Sequence, residues 1–138
     1  MNEPTRKDST ILIVGGGASG TIAAIRLLRS DLGRAGRIRI RLFEKSRDLA
    51  RGVAYGTSSD FHRLNVRHGK MSLFPEDPEN FSRWIAKHHP GELSVSFQPR
   101  PRYAEYLSSS LAEARRDAPA DSFSSVRDEA IGFDRDGE

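Results

Sequence analysis

An α/β fold is what this sequence predicts: a βαβ unit feeding a partial parallel sheet in a three-layer arrangement. Three observations carry the prediction. Ile11-Leu12-Ile13-Val14 is a continuous run of β-branched and aliphatic residues. A glycine-rich hexapeptide, Gly15 to Gly20, follows directly and opens a stretch with helical spacing. Arg37 to Phe43 then alternates basic and apolar residues with a period of two, as a second strand does.

Taken in order, residues Met1 to Ser9 are almost wholly polar, which predicts a disordered tail over 1–9 and a single domain over 10–138. Ile11 to Val14 reads as a strand buried on both faces, hence the central strand of a parallel sheet. From Ala18 to about Ser30, Ile22, Ile25, Leu28 and Leu32 recur at spacings of three and four, a helix with one apolar face and Gly33 as its stop. Arg37 to Phe43 puts arginines on one side and aliphatics on the other. A strand with one wet face belongs near a sheet edge, and its end delivers Glu44.

Periodicity then fails from Lys45 to Phe74, a loop long enough that function, rather than disorder, is the better expectation. Asp77-Pro78 looks like an N-cap followed by proline at the first helical position, with Phe81, Trp84, Ile85 and His88 at helical spacing before Gly91. A further helix spans about Arg102 to Asp117, with Tyr103, Tyr106, Leu107, Leu111 and Ala114 on one face and Pro119 beyond it. Val126 to Phe133 begins another strand. The Asp-Gly pair in Asp134 to Glu138 is a turn signal that ordinarily leads into a partner strand.

Composition narrows the function. The chain has 138 residues, enough for one core but not two. With 22 basic and 19 acidic residues the net charge is +3, and the arginines are scattered, which argues against a nucleic-acid partner. The absence of cysteine removes disulfides, thiolate nucleophiles, iron–sulfur clusters and cysteine-based zinc sites. His62, His68, His88 and His89 lack a metal-binding set, so no metal is expected. The short apolar run at 11–14 is neither a signal-peptide core nor a membrane span, and a cytoplasmic, membrane-free protein is the expectation. Trp84 and the tyrosines read as core.

The chemistry lies in Gly15-x-Gly17-x-x-Gly20. In this pattern one glycine makes the tight turn, one lets backbone approach a pyrophosphate, and one packs helix on strand, while free N–H groups at the helix start face the phosphates. Gly15, Gly17, Ala18, Ser19 and Gly20 are therefore the expected pyrophosphate contacts. Glu44, about 24 residues after Gly20, stands where an acid accepts hydrogen bonds from a ribose. Its charge opposes a 2′-phosphate, which favours FAD or NAD over NADP, although Lys45 and Arg47 beside it blur that discrimination. No residue takes a catalytic role from the sequence.

Further motifs occur in a telling order: Gly52-Val53-Ala54-Tyr55-Gly56-Thr57, His62-Arg63-Leu64-Asn65-Val66, Met71-Ser72, Asp77-Pro78 and Phe81-x-x-Trp84. With Pro99 to Leu107, where Ala104 replaces a usual glycine, they cover about Ile11 to Leu111. The chain resembles the N-terminal FAD/NAD(P)-binding domain of a bacterial flavoprotein family similar to flavin-dependent urate hydroxylases and nitrosuccinate-forming aspartate N-monooxygenases. The resemblance implies a Rossmann-like fold and FAD as cofactor, with pyrophosphate on Gly15 to Gly20, ribose on Glu44 and Lys45 beside the adenine. It also places Asn65, Met71 and Ser72 nearer the flavin ring. Members of that family are much longer and carry a second, NAD(P)-binding region. The expectation is thus a partial domain that relies on a missing C-terminal half or partner chain to turn over, or else a nucleotide module or inactive fragment.

Overall fold

The alternating strand, not the all-apolar one, lies at the centre of the sheet. In the computed structural model, which describes residues 8–135, β2 (Ile38–Phe43) pairs in parallel with β1 (Ser9–Val14) on one side and β3 (Phe123–Val126) on the other. Between the strands run α1 (Ala18–Arg29), α2 (Asp31–Arg34), α3 (Gly52–Tyr55), a 3-10 turn (His68–Lys70), α4 (Asn80–His88) and α5 (Arg100–Asp117). This is a Rossmann-like α/β arrangement.

Two expectations about the strands are corrected together. Helices cover one face of the sheet only, so the described residues form two layers instead of three. Ile11, Ile13, Ile40, Leu42 and Phe123 lie on the covered side, where Ile40, Leu42 and Phe123 join a core with Ile25, Leu28, Leu107 and Leu111. On the other side Leu12 and Val14 are 62% and 67% exposed, beside Arg41 and Phe43 in register. The arginines of β2 report an open face, not an edge: alternation tells which faces are covered and is silent on lateral position. Arg39, on that face, pairs with Asp121 at 3.3 Å.

Helix α1 stops at Ser30, ahead of Gly33. Ser30 is extended, its hydroxyl donates to Leu27 O (2.6 Å) and accepts the Gly33 N–H (3.1 Å), and the chain restarts as the one-turn helix α2. Leu32 accordingly leaves the apolar face and is exposed. Helix α4 begins at Asn80, so Asp77 and Pro78 form the turn before it. Asp77 O accepts the Asn80 N–H (3.1 Å), and its carboxylate accepts from Asn80 Nδ2 (3.0 Å) and from Arg83.

Helix α5 starts at Arg100 with Pro101 in its first turn, and Tyr103, Tyr106, Leu107, Leu111 and Ala114 are all buried, packed against α1. The last strand, β3, ends at Val126, where the sequence reading has a strand beginning, and residues 127–135 form none. Ser9 is already part of β1. The remainder of the expected tail, 1–7, and of the Asp-Gly turn, 136–138, lies outside the described residues. Among those described, no helix is long and apolar enough to cross a membrane.

Candidate dinucleotide-binding site

The carboxyl end of β1 turns into α1 through a loop with no room for a side chain at Gly16 or Gly20. Gly15 has φ +94°, a conformation L side chains rarely adopt, and its N–H bonds Phe43 O at 2.8 Å. A Cβ on Gly20 would stand 1.9 Å from Gly15 O, so helix and loop meet only because that position has no side chain. Gly17 caps α1 in an extended conformation, with no side-chain cap and no acid in the first helical turn. The N–H groups of Gly17, Ala18, Ser19 and Gly20 have no hydrogen-bond partner among the described residues. Together with the helix dipole they form an uncompensated positive end.

Glu44 is fixed across this loop. Its Oε2 accepts the Gly16 N–H at 2.7 Å and its Oε1 the Ser46 N–H at 2.8 Å. The Ser46 and Gly16 bonds hold the carboxyl below its ordinary value, with Lys45 adding a smaller push in the same direction. A carboxylate has about four lone-pair sites, so each oxygen keeps capacity for a ribose hydroxyl. Beside it a concavity of about 240 Å³ opens at the strand ends, lined by Val14, Gly15, Phe43, Glu44, Lys45 and residues 128–130. Lys45 Nζ pairs there with Glu129 at 3.3 Å. Ligands of open α/β sheets sit outside the carboxyl ends of the strands, which is this place.

A family model described as FAD-NAD(P)-binding matches residues 12–138. The chain belongs to that family. Among solved structures, THI4 of Thermovibrio ammonificans is similar at 20% identity and a TM-score of 0.42, over 86% of this chain and 37% of that one. The chain thus spans little more than a third of that structure's length. No curated protein matches it.

Several members of the site escape the family's glycine pattern. Gly16, an unspecified position in the motif, is buried, and a Cβ there would lie 2.6 Å from Leu49 Cδ2, 2.8 Å from Leu42 Cδ2 and 2.9 Å from Glu44 Cβ. Its carbonyl accepts the Thr21 hydroxyl at 3.0 Å and the Ala50 N–H at 2.7 Å. Ala50 is fully buried with φ +69°, and Gly52, at φ +53°, lies against Gly17. The segment 50–52 therefore clamps the glycine loop from outside. The run of three glycines, with Gly16 in its middle, was the available signal for Gly16; nothing local marks Ala50.

The remaining expected residues fall elsewhere in this FAD-NAD(P)-binding domain. Asn65 is exposed on the segment where Leu64 N–H bonds Gln98 O at 2.9 Å. Met71 packs against the core from a half-buried position. The Ser72 hydroxyl lies 2.7 Å from Asp77 O and accepts the Phe74 N–H at 3.0 Å, so it is committed to the turn before α4. The structure thus brings Gly15, Gly17, Ala18, Ser19, Gly20, Glu44 and Lys45 together and leaves Asn65 exposed, Met71 against the core and Ser72 in the turn before α4. The histidines bond individually, His62 to Thr57, His68 to Ser82 and His89 to Glu105, and no metal-binding cluster occurs among the described residues.

Proposed function

We propose that this chain holds FAD as the cofactor-binding part of a flavin-dependent oxidoreductase, of the monooxygenase type its motifs resemble. The observation that carries the reading is the set of four unpartnered N–H groups at the start of α1, with Glu44 fixed beside them by Gly16 and Ser46. The donor set fits the group. Four N–H groups and a helix dipole suit a pyrophosphate, a carboxylate with free lone pairs suits two ribose hydroxyls, and the Gly17 backbone approaches without a side chain in between. Flavin, when bound, supplies hydride acceptance and oxygen chemistry. The residues named here bind and orient it, and substrate placement and reductant delivery are assigned to none of them.

A second reading, a module for NAD or an adenine nucleotide without redox chemistry, fits the 240 Å³ concavity beside Glu44 equally well, since an adenosine is common to both ligands. The visible absorption spectrum of the purified protein, before and after denaturation and after desalting from added FAD, separates the two. A retained flavin spectrum is the expected result. A colourless protein whose melting curve moves with NAD or ADP selects the second reading, and a curve unmoved by FAD, NAD or ADP overturns both. Substrate-dependent NAD(P)H oxidation by the chain alone would show that it needs no further segment.

A further inference from the structure

A second concavity, of about 410 Å³, opens beside Val53 and Ala54, the residues that follow Gly52, and has the opposite electrical character. The one beside Glu44 is lined by Glu44, Asp128 and Glu129 with Lys45 as its one cation. The second is lined by Val53, Ala54, Thr57, His62, Arg63 and Arg100, and by no acid.

Both arginines are held by backbone and not by carboxylates. Arg100 donates through Nε to Arg63 O (3.2 Å) and through Nη1 to Ala54 O (3.1 Å), and Arg63 donates through Nη1 to Phe97 O (3.4 Å). Neither takes part in a salt bridge among the described residues. Glu92, whose charge also reaches Arg63, is bound by Arg102 at 2.8 and 2.9 Å. A carbonyl fixes a guanidinium in place without neutralising it, and each guanidinium has five donors, so most remain for another acceptor. His62 is fixed as well: Thr57 Oγ1 accepts the Ser59 N–H at 3.1 Å and lies 2.7 Å from His62 Nδ1. When Nδ1 accepts the hydroxyl proton, Nε2 is left as a donor.

We propose that Arg63, Arg100 and His62 form a second anion subsite that takes the carboxylate or phosphate oxygens of a small ligand on the α3 side of the glycine loop. Two pre-oriented guanidiniums and an imidazole around one acid-free hollow recognise an oxyanion, and the bidentate geometry of arginine suits its planar or tetrahedral oxygens. Gly52 touches the pyrophosphate loop and continues directly into Val53 and Ala54, which places the subsite next to a bound dinucleotide. Only in assigning that neighbour does the inference rest on the dinucleotide reading. The oxyanion has two possible sources, the dinucleotide itself or a separate small molecule.

Nuclear magnetic resonance on the full chain tests this, following the Arg63 and Arg100 Nε–H and His62 ring signals together with the amides of Gly15 to Gly20. Titration with inorganic phosphate, and separately acetate, is expected to move the arginine and histidine signals saturably. Arg63→Gln should weaken that binding by about tenfold, as removal of a charge-assisted hydrogen bond does. Arg100→Lys, which keeps the charge but loses the fork, should weaken it less. If bound FAD abolishes the phosphate response, the dinucleotide supplies the oxyanion; if the response persists, a separate ligand does. No saturable shift at Arg63 and Arg100 with phosphate, acetate or FAD overturns the subsite, as does binding unchanged in both variants. Failure of the dinucleotide reading looks different: FAD leaves the Gly15 to Gly20 amides unmoved while phosphate still titrates the arginines.

Discussion

The glycine loop and the segment from Met71 to Glu79 are both irregular backbone, yet they are held by opposite means. The loop is held by the absence of side chains: Gly16 and Gly20 sit where a single methyl group would collide with Leu49, Leu42 or Gly15 O. The later segment is held by side chains that cross the core. Tyr106, from the middle of α5, donates to Asn80 Oδ1 at 2.7 Å and accepts the Leu73 N–H at 3.2 Å, and Ser72 closes the turn between them. Steric exclusion leaves backbone donors free for a ligand, whereas a satisfied side-chain network uses its donors up. This contrast is why the first region is the candidate site and the second carries no free donors for a ligand.

Four outcomes break or sharpen that contrast. The largest is expected from Gly20→Ala, whose Cβ would be forced onto Gly15 O at 1.9 Å. It should cost about 3 kcal/mol, the upper part of the range for overpacking, together with FAD retention, as read by urea melts and desalting. Tyr106→Phe comes next, at roughly 1–3 kcal/mol for the buried Leu73 N–H and the half-buried Asn80 Oδ1 left without this partner. Dinucleotide affinity should not change, and a parallel loss of affinity would show that the two regions are not separable.

Gly17→Ala should move stability by only about 0.5 kcal/mol, the scale of a substitution without a clash. Its Cβ would lie 3.5 Å from Gly52 Cα, an ordinary contact. Binding should nevertheless fall, because the dinucleotide reading needs Gly17 to bring bare backbone up to a pyrophosphate. Unchanged affinity would remove Gly17 from the cradle. The smallest effect is a pH dependence. The bonds from Ser46 and Gly16 depress the Glu44 pKa in the folded state, so its contribution is fully present above the ordinary value of 4.5 and is lost as pH falls through the lower folded value. Acid melts of Glu44→Gln should lack that component, and melts superimposable on the parent would show that those two bonds do not stabilise the fold.

The same contrast explains how much of the molecule was legible in its residues. A steric motif is local: Val14 to Gly20 and the acid ending the second strand announce themselves in a few positions, and the structure brings Glu44 to the Gly16 N–H. Helix α5 was legible too, because its five core positions repeat along one face. The role of Ser72 was not, because its hydroxyl is assigned by Phe74 and Asp77 across a turn, and Tyr106 reaches Asn80 from another helix. Ala50 was invisible for a similar reason: an alanine in a positive-φ turn carries no mark in a sequence.

By itself the sequence determined the βαβ unit, the periodicity of the strands and helices and the glycine turn between β1 and α1, since all of these follow from short-range sterics and from which residues repeat at 2 or 3.6. Only the tertiary structure decided the order of the strands. A wet face and an edge position produce the same alternation in a strand, and the two are told apart by which neighbours supply its backbone hydrogen bonds. That pairing puts arginine-bearing β2 in the middle and apolar β1 at its side.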